Sequence, residues 1–178
     1  MTTRGYHHGD LRRALLDAAI QALEESGPAA LSLRDLARRA GVSHAAPAHH
    51  FGDKAGLLTA LAVEGYDLLA DELAGAGDDL LEVGVAYVRF AVDHRAHFEV
   101  MFRPDLYRGD APEVATARDR AGAVLRGALP TADPDRDALA AWSIVHGFAT
   151  LWLAGALPLD AGRDPERAAR AVIRRVLR

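Results

Sequence analysis

The chain has 178 residues, of which 50% are hydrophobic and 26% charged, with a net charge of −4. That is enough for one or two small soluble domains with a sizeable apolar core. Cysteine is absent, which excludes disulfides and thiolate metal sites and fits a reducing, cytoplasmic setting. Alanine supplies roughly a fifth of the residues and aromatics only 6%, a composition that favours helix over sheet. Residues 1–54 carry seven basic against six acidic side chains and five of the eight histidines, a net of +1, while the rest nets −5. A polyanion would therefore meet the N-terminal third first.

In chain order, Met1 to Arg13 is polar and lacks an apolar run of the signal-peptide kind. From Asp10 to Ser26, Leu11, Leu15, Ala18, Ala19, Ala22 and Leu23 fall on one helical face, and Ser26-Gly27-Pro28 stops the pattern. Ser32 reads as the N-cap of a brief helix over 33–40, with Asp35 three residues on in a variant of the capping box. Gly41 ends that helix, and Ser43 caps another over about 44–51. Pro47, in its first turn, lacks the amide that would reach the Ser43 carbonyl, so an irregular start is expected. A long helix follows from about Lys54 to Gly75, with Leu57, Leu58, Leu61, Gly65, Leu68, Leu69 and Leu73 on its stripe. Further helices are expected over 79–94, 95–103 and 113–128.

The stretch 138–159 holds no formal charge, long enough for a membrane span but interrupted by Ser143, His146, Thr150 and Pro158. A helix buried at a core or subunit interface is the expected outcome. A last, Arg-studded helix runs from Pro165 to the C-terminus. No strand alternation or internal repeat is visible. The expected fold is all-α with about nine helices: a three-helix unit over 1–54 and a larger helical bundle over 55–178.

The most informative stretch is LSLRDLARRAGVSHAAPAHHFGDK, residues 31–54. Two short capped helices meet at a tight turn in which Gly41 can take up a left-handed backbone. Ala37 permits close approach, and Leu36 and Val42 pin the pair. This is the build of a helix-turn-helix, whose later helix enters the DNA major groove; an ordinary helical hairpin has the same spacing. Arg38 and Arg39 read as a solvated face.

These residues resemble the DNA-binding domain of the TetR family of transcriptional regulators. Ser32, Arg34, Leu36, Ala37, Gly41, Val42 and Ser43 match one run of the family pattern, and His50, Phe51 and Lys54 the next. The resemblance spans roughly residues 8–60 without a gap. It implies phosphate contacts from Ser32, Ser43, His50 and Lys54, and base-edge contacts from His44, Ala45 and His49, with Arg34 reaching groove or backbone. One position departs: Ala48 stands where the family has a phosphate-binding Tyr, a loss worth about 0.5–1.5 kcal/mol. A second reading follows, in which DNA binding is weakened and the protein acts through protein contacts.

Residues 86–102 and Trp142-Ser143-Ile144-Val145-His146-Gly147 resemble the regulatory domain of a TetR subgroup named for its W-x-x-x-H-G signature. That resemblance implies a domain that dimerises and binds a small effector. The expected ligand-binding residues are Tyr87, Phe90, His94, Phe98, Met101, Trp142 and His146, an apolar set with a few polar groups; core packing is the plainer role for each. His146 sits in a charge-free helix, so its burial demands a partner. The helices near 138–156 and 165–178 are expected to pair across a two-fold axis, with Gly147 and Gly155 permitting close approach, so that a homodimer reads a palindromic double-stranded DNA operator.

Enzymatic readings using His94, His97 or His146 as a base find no nucleophile or orienting partner. His7, His8, His49 and His50 offer no metal-ligand spacing with a carboxylate. No cofactor, metal or membrane association is expected. The function implied is a ligand-responsive transcriptional regulator, a repressor released by its effector.

Overall fold

The computed structural model describes residues 8–129, 133–158 and 163–176. Among these are nine helices and no strand: α1 (His8–Ala30), α2 (Leu33–Arg39), α3 (Ala46–Phe51), α4 (Lys54–Gly75), α5 (Leu80–Asp93), α6 (Arg95–Met101), α7 (Pro112–Gly127), α8 (Pro134–Leu153) and α9 (Pro165–Val176). The all-α expectation holds. His7, of the N-terminal histidine pair, and Leu159, Leu177 and Arg178, at the ends of expected segments, lie outside the described residues.

Helix α1 buries Leu15, Ala18, Ala19, Ala22 and Leu23 of the expected stripe, with Leu11 half-buried, and buries Leu16 beside it. Its regular course breaks at Gly27, whose φ of 69° precedes Pro28, and one further turn runs on to Ala30. Ser32 occupies the N-cap of α2, yet its side chain makes no cap bond. The expected capping pair does not form because Asp35 is taken by Arg38 and Arg39 instead. Arg39 also reaches Glu25 on α1 at 2.8 Å, so Arg39 is less a solvated cation than a tie between two helices.

The turn after α2 forms as expected. Gly41 has φ 65°; its N–H donates to the Arg38 carbonyl and that of Val42 to Ala37 at 2.9 Å. These two reversed bonds are the Schellman arrangement, and they need a residue free of a Cβ penalty at that point. Helix α3 starts later than expected, with Ala45 rather than Ser43 as its N-cap. Pro47 is the cause: lacking an N–H, it leaves the Ser43 carbonyl to accept from Ala46 in a tight turn at 3.0 Å.

Helix α4 is the central strut, packing along α7 and against α5 and α6, while α5 packs on α8 and α9. One contiguous apolar cluster runs through the chain and includes Leu15, Leu57, Leu61, Phe90, Val114 and Ala149. Close approach is enforced at Gly65, where a Cβ would lie 2.5 Å from the Met101 sulfur. Helix α8 begins four residues before the charge-free run, since Pro134 suits a first turn and Asp133 supplies the N-cap oxygen. Among the described residues no helix is long and apolar enough to cross a membrane. Nor is α8 buried all round: Leu139 and Leu151 are 57% and 47% exposed.

The tightest packing lies where α3 meets α4. A Cβ on Gly56 would sit 2.0 Å from the Phe51 carbonyl oxygen, a backbone atom that cannot swing aside. Gly56→Ala should therefore lower stability by about 1–3 kcal/mol in denaturant unfolding. Gly75→Ala, where a Cβ meets nothing, should be neutral or gain up to ~1 kcal/mol.

Candidate nucleic-acid interface and ligand cavity

Helix α3 has two faces, set by residue type. Pro47 and Phe51, one turn apart, are buried, and the Arg12 guanidinium lies 5.5 Å from the Phe51 ring centroid. The opposite face carries Ala45, Ala48 and His49, all exposed, with His44 exposed in the preceding turn. Ser32, Arg34 and Ser43 are exposed beside it. His50 is half-buried against Phe51, with ring centroids 6.2 Å apart. Lys54 is half-buried too, its ammonium 3.4 Å from the Ala29 carbonyl. Ser32, Arg34, Ser43, His44, Ala45 and His49 are thus all accessible, while His50 and Lys54 are half-buried.

The corner carrying α3 is tied to the bundle by polar contacts that the sequence did not reveal. Asp53 caps α4, accepting from the Gly56 amide at 2.8 Å, and it also receives Arg108 at 2.9 Å. That amide and the Arg108 charge hold the Asp53 carboxyl below its ordinary pKa. The Arg108 amide in turn donates to the Thr59 hydroxyl at 3.1 Å. A second tie runs through Glu64 on α4, which accepts from buried His97 of α6 at 3.1 Å and from Arg13 of α1 at 2.8 Å. The His97 bond, then Arg13, lowers the Glu64 pKa against the opposing effect of burial.

Between α4, α5, α7 and α8 lies a cavity of about 460 Å³, within the range of small-molecule sites. Tyr87, Met101 and Trp142 line it, as expected. Phe90, His94, Phe98 and His146 do not: Phe90 is fully buried in the core, and His94 terminates α5. Phe98 and His146 stack on each other behind the wall, ring centroids 5.3 Å apart. Tyr66, Phe102, Tyr107 and Arg118 line the cavity without having been anticipated. Tyr66 shares a helical face with Leu69 and Leu73, so its spacing was readable; Tyr107 and Arg108 sit in a loop, where no periodicity marks them.

His146 has the partner its burial required. Trp142 Nε1 donates to the Tyr87 hydroxyl at 3.1 Å, and the Tyr87 hydroxyl lies 2.9 Å from His146 Nδ1. An indole N–H only donates, so the Tyr87 proton is free to pass to Nδ1 of a neutral imidazole protonated on Nε2. Burial pushes the His146 pKa down, which favours that state. Among the described residues no group of three or more His, Cys, Asp or Glu side chains could hold a metal ion.

Comparison with known proteins agrees with this architecture. Residues 15–61 match the family of bacterial regulatory proteins of the tetR type, and residues 80–176 match the tetracyclin repressor-like C-terminal domain. The chain belongs to the TetR family of transcriptional regulators. It is similar to a protein of unknown function from Rhodococcus sp. RHA1, at 35% identity over 97% of this chain and 96% of that one, TM-score 0.80. It shares the fold of the TetR family transcriptional regulator PfmR from Thermus thermophilus, at 24% identity over 92% of this chain and 96% of that one, TM-score 0.67. It is also similar to the transcriptional regulator BetI of Escherichia coli (strain K12 / DH10B), 47% identical over 49 residues, 28% of this chain and 25% of that protein. The first curated relatives are matched over only 24% to 37% of their own length.

The His146–Tyr87 arrangement has a pH signature. The folded protein binds the His146 proton less readily than the unfolded chain, so stability is full above the ordinary imidazole value of 6.5. It should fall as the pH drops from there through the lower folded value. Thermal unfolding followed between about pH 7 and about pH 5 should show this decline, and His146→Gln should flatten it.

Proposed function

We propose that this protein is a homodimeric, sequence-specific DNA-binding repressor that a small-molecule effector releases from a palindromic operator. The observation that carries the reading is the exposed face of α3, backed by buried Pro47 and Phe51 and left uncovered by the bundle. In this reading residues 1–54 form the DNA-binding unit and 55–178 the effector-binding and dimerisation unit. His44, Ala45 and His49 face base edges, where the alanine methyl suits thymine. Ser32, Ser43, His50 and Lys54 hold phosphates, and Arg34 lies within reach of either.

Pairing of two copies through α8 and α9 is supported by apolar surface. Leu151 and Val172, on α8 and α9, are 47% and 41% exposed, and both border one groove with Ile144, Phe148 and Ala168. A Cβ on Gly147 would meet nothing within the protomer, which leaves room there for a second chain. Gly155 instead terminates α8. Its φ of 64° lets its own amide and that of Ala156 bond back to Trp152 and Leu151. One helix-turn-helix covers a half-site, so two copies need recognition helices about 34 Å apart.

Effector binding reaches DNA in this reading through the wall of the cavity. Tyr107 lines the cavity and its neighbour Arg108 is bonded to Asp53 and Thr59, so displacing that loop displaces the α3–α4 corner. Coupling then reflects unequal effector affinity for the DNA-competent and incompetent states.

A second reading rests on Ala48, exposed where a phosphate-contacting Tyr would stand: a protein of weakened DNA affinity acting through protein contacts. The test is binding to fragments selected from the DNA beside its gene. The repressor reading expects sequence-specific binding that falls steeply with salt, with Lys54→Gln reducing the log–log salt slope by about 0.9 per protomer. Absence of any specific binding at low salt overturns it. Ala48→Tyr should tighten operator binding by no more than about tenfold per protomer, about a hundredfold for the dimer, since one hydrogen bond contributes about 0.5–1.5 kcal/mol; a far larger gain favours the second reading. Leu151→Glu should shift the protein to monomers in sedimentation and abolish operator binding with it.

A further inference from the structure

We propose that the effector is an amphipathic carboxylate, its apolar body filling the cavity and its head group held by Arg118 at the mouth. This rests on the reading of the cavity as an effector site. The interior is walled by Leu69, Leu73, Val83, Leu125, Val145 and Ile173, with aromatic faces between them. Three tyrosines contribute hydroxyls, yet all three are already engaged. Those of Tyr66 and Tyr107 both donate to the Met101 carbonyl, at 3.3 and 2.9 Å. That of Tyr87 is held between Trp142 and His146. No buried side-chain nitrogen or oxygen among the described residues lacks a partner. A ligand lodged in this interior thus finds apolar surface and no free hydrogen-bond donor, so an acceptor such as a carboxylate would be left unpaired there at a cost.

The net charge at the cavity is positive. Arg118, Arg126 and Asp135 are the charged residues that line it. Asp135 has Arg126 at 3.9 Å, which leaves one positive charge over. Arg118 forms no ion pair with any described residue, unlike Arg120 two positions on, which Asp67 and Asp71 hold on the outer side of the same helix. Ala121, Gly122 and Leu125 follow Arg118 along the lining face of α7. Its charge also reaches inward: burial and then Tyr107 raise the Tyr66 pKa, and Arg118 acts in the opposite sense. A guanidinium beside an apolar cavity offers a carboxylate two parallel N–H donors. A cationic ligand would find only Asp135, already shared and 87% exposed. A neutral one, such as an alcohol, accepts at most one hydrogen bond from Arg118 and leaves its charge unneutralised.

Three ligands with one tail separate these cases: octanoate, 1-octanol and octyltrimethylammonium, titrated by calorimetry into the full-length protein at low salt. Octanoate should bind at least tenfold more tightly than octanol, and octyltrimethylammonium more weakly than either. Arg118→Gln, at an exposed position, should bring octanoate close to the octanol level and change octanol far less, while Arg118→Lys restores part of the difference. Arg126→Gln should matter less, because that guanidinium already has Asp135. Equal binding of all three, tightest binding of the ammonium, or an octanoate preference that survives Arg118→Gln overturns the head-group assignment alone. Binding of none of the three overturns the cavity reading along with it.

Discussion

The Asp53 carboxylate joins the start of α4 to the loop that follows α6. One oxygen satisfies the Gly56 amide at the start of α4, and the other receives Arg108 from the loop after α6. The bond would be of little consequence in an open turn, since an exposed ion pair contributes about 0–1 kcal/mol. Here it is made where a glycine is obligatory, because the Phe51 carbonyl occupies the space a Cβ would need. Backbone crowding fixes the direction in which α3 leaves α4, and the carboxylate fixes which part of the bundle that corner follows. The Asp53–Arg108 pair thus ties the 103–111 loop to a corner whose α3 is seated by its own buried Pro47 and Phe51.

That tie gives the remainder of the molecule its logic. Helix α4 touches the recognition corner at one end and the cavity along its length, through Tyr66, Leu69 and Leu73. Glu64, on the same helix, joins Arg13 of the first unit to His97 of the bundle. The Met101 carbonyl accepts from both Tyr66 and Tyr107, so the strut and the loop that follows α6 share one acceptor. Satisfied polar groups in the wall make this arrangement stiff, and stiffness lets a small displacement travel.

The surface shows a comparable division between what is closed and what is left open. Most cations are neutralised by near neighbours: Arg39 by Glu25 and Asp35, Arg170 by Glu82, Arg89 by Glu72. Arg34 near α3 and Arg118 at the cavity form no such pair among the described residues. Nor do Arg95, Arg163, Arg167, Arg174 and Arg175, so an unpaired cation alone marks no site; Arg118 differs from these in lining an apolar cavity.

Much of the fold is legible in the sequence because its signals are local. Helical stripes, the Gly27-Pro28 stop and the Schellman turn at Gly41 depend on residues within one or two turns of each other, and these form where the residues predict them. The exposure of His44, Ala45 and His49, which only the family resemblance had implied, is also found, with Pro47 and Phe51 buried on α3. The departures also have local causes that compete: Pro47 delays α3, Pro134 advances α8, and two arginines outbid the Ser32 cap for Asp35. The ligand residues are less legible. Periodicity says which side chains point inward, but it does not distinguish a wall from a filled core, and Phe90, Phe98 and His146 pack behind the wall. Tertiary structure alone decided that the cavity lies between α4 and α7, that Arg108 meets Asp53 across 55 positions of chain, and that Arg118 is left without a counter-charge. Each of these is a meeting of distant segments, and the distance between them depends on how whole helices pack, which no short run of residues encodes.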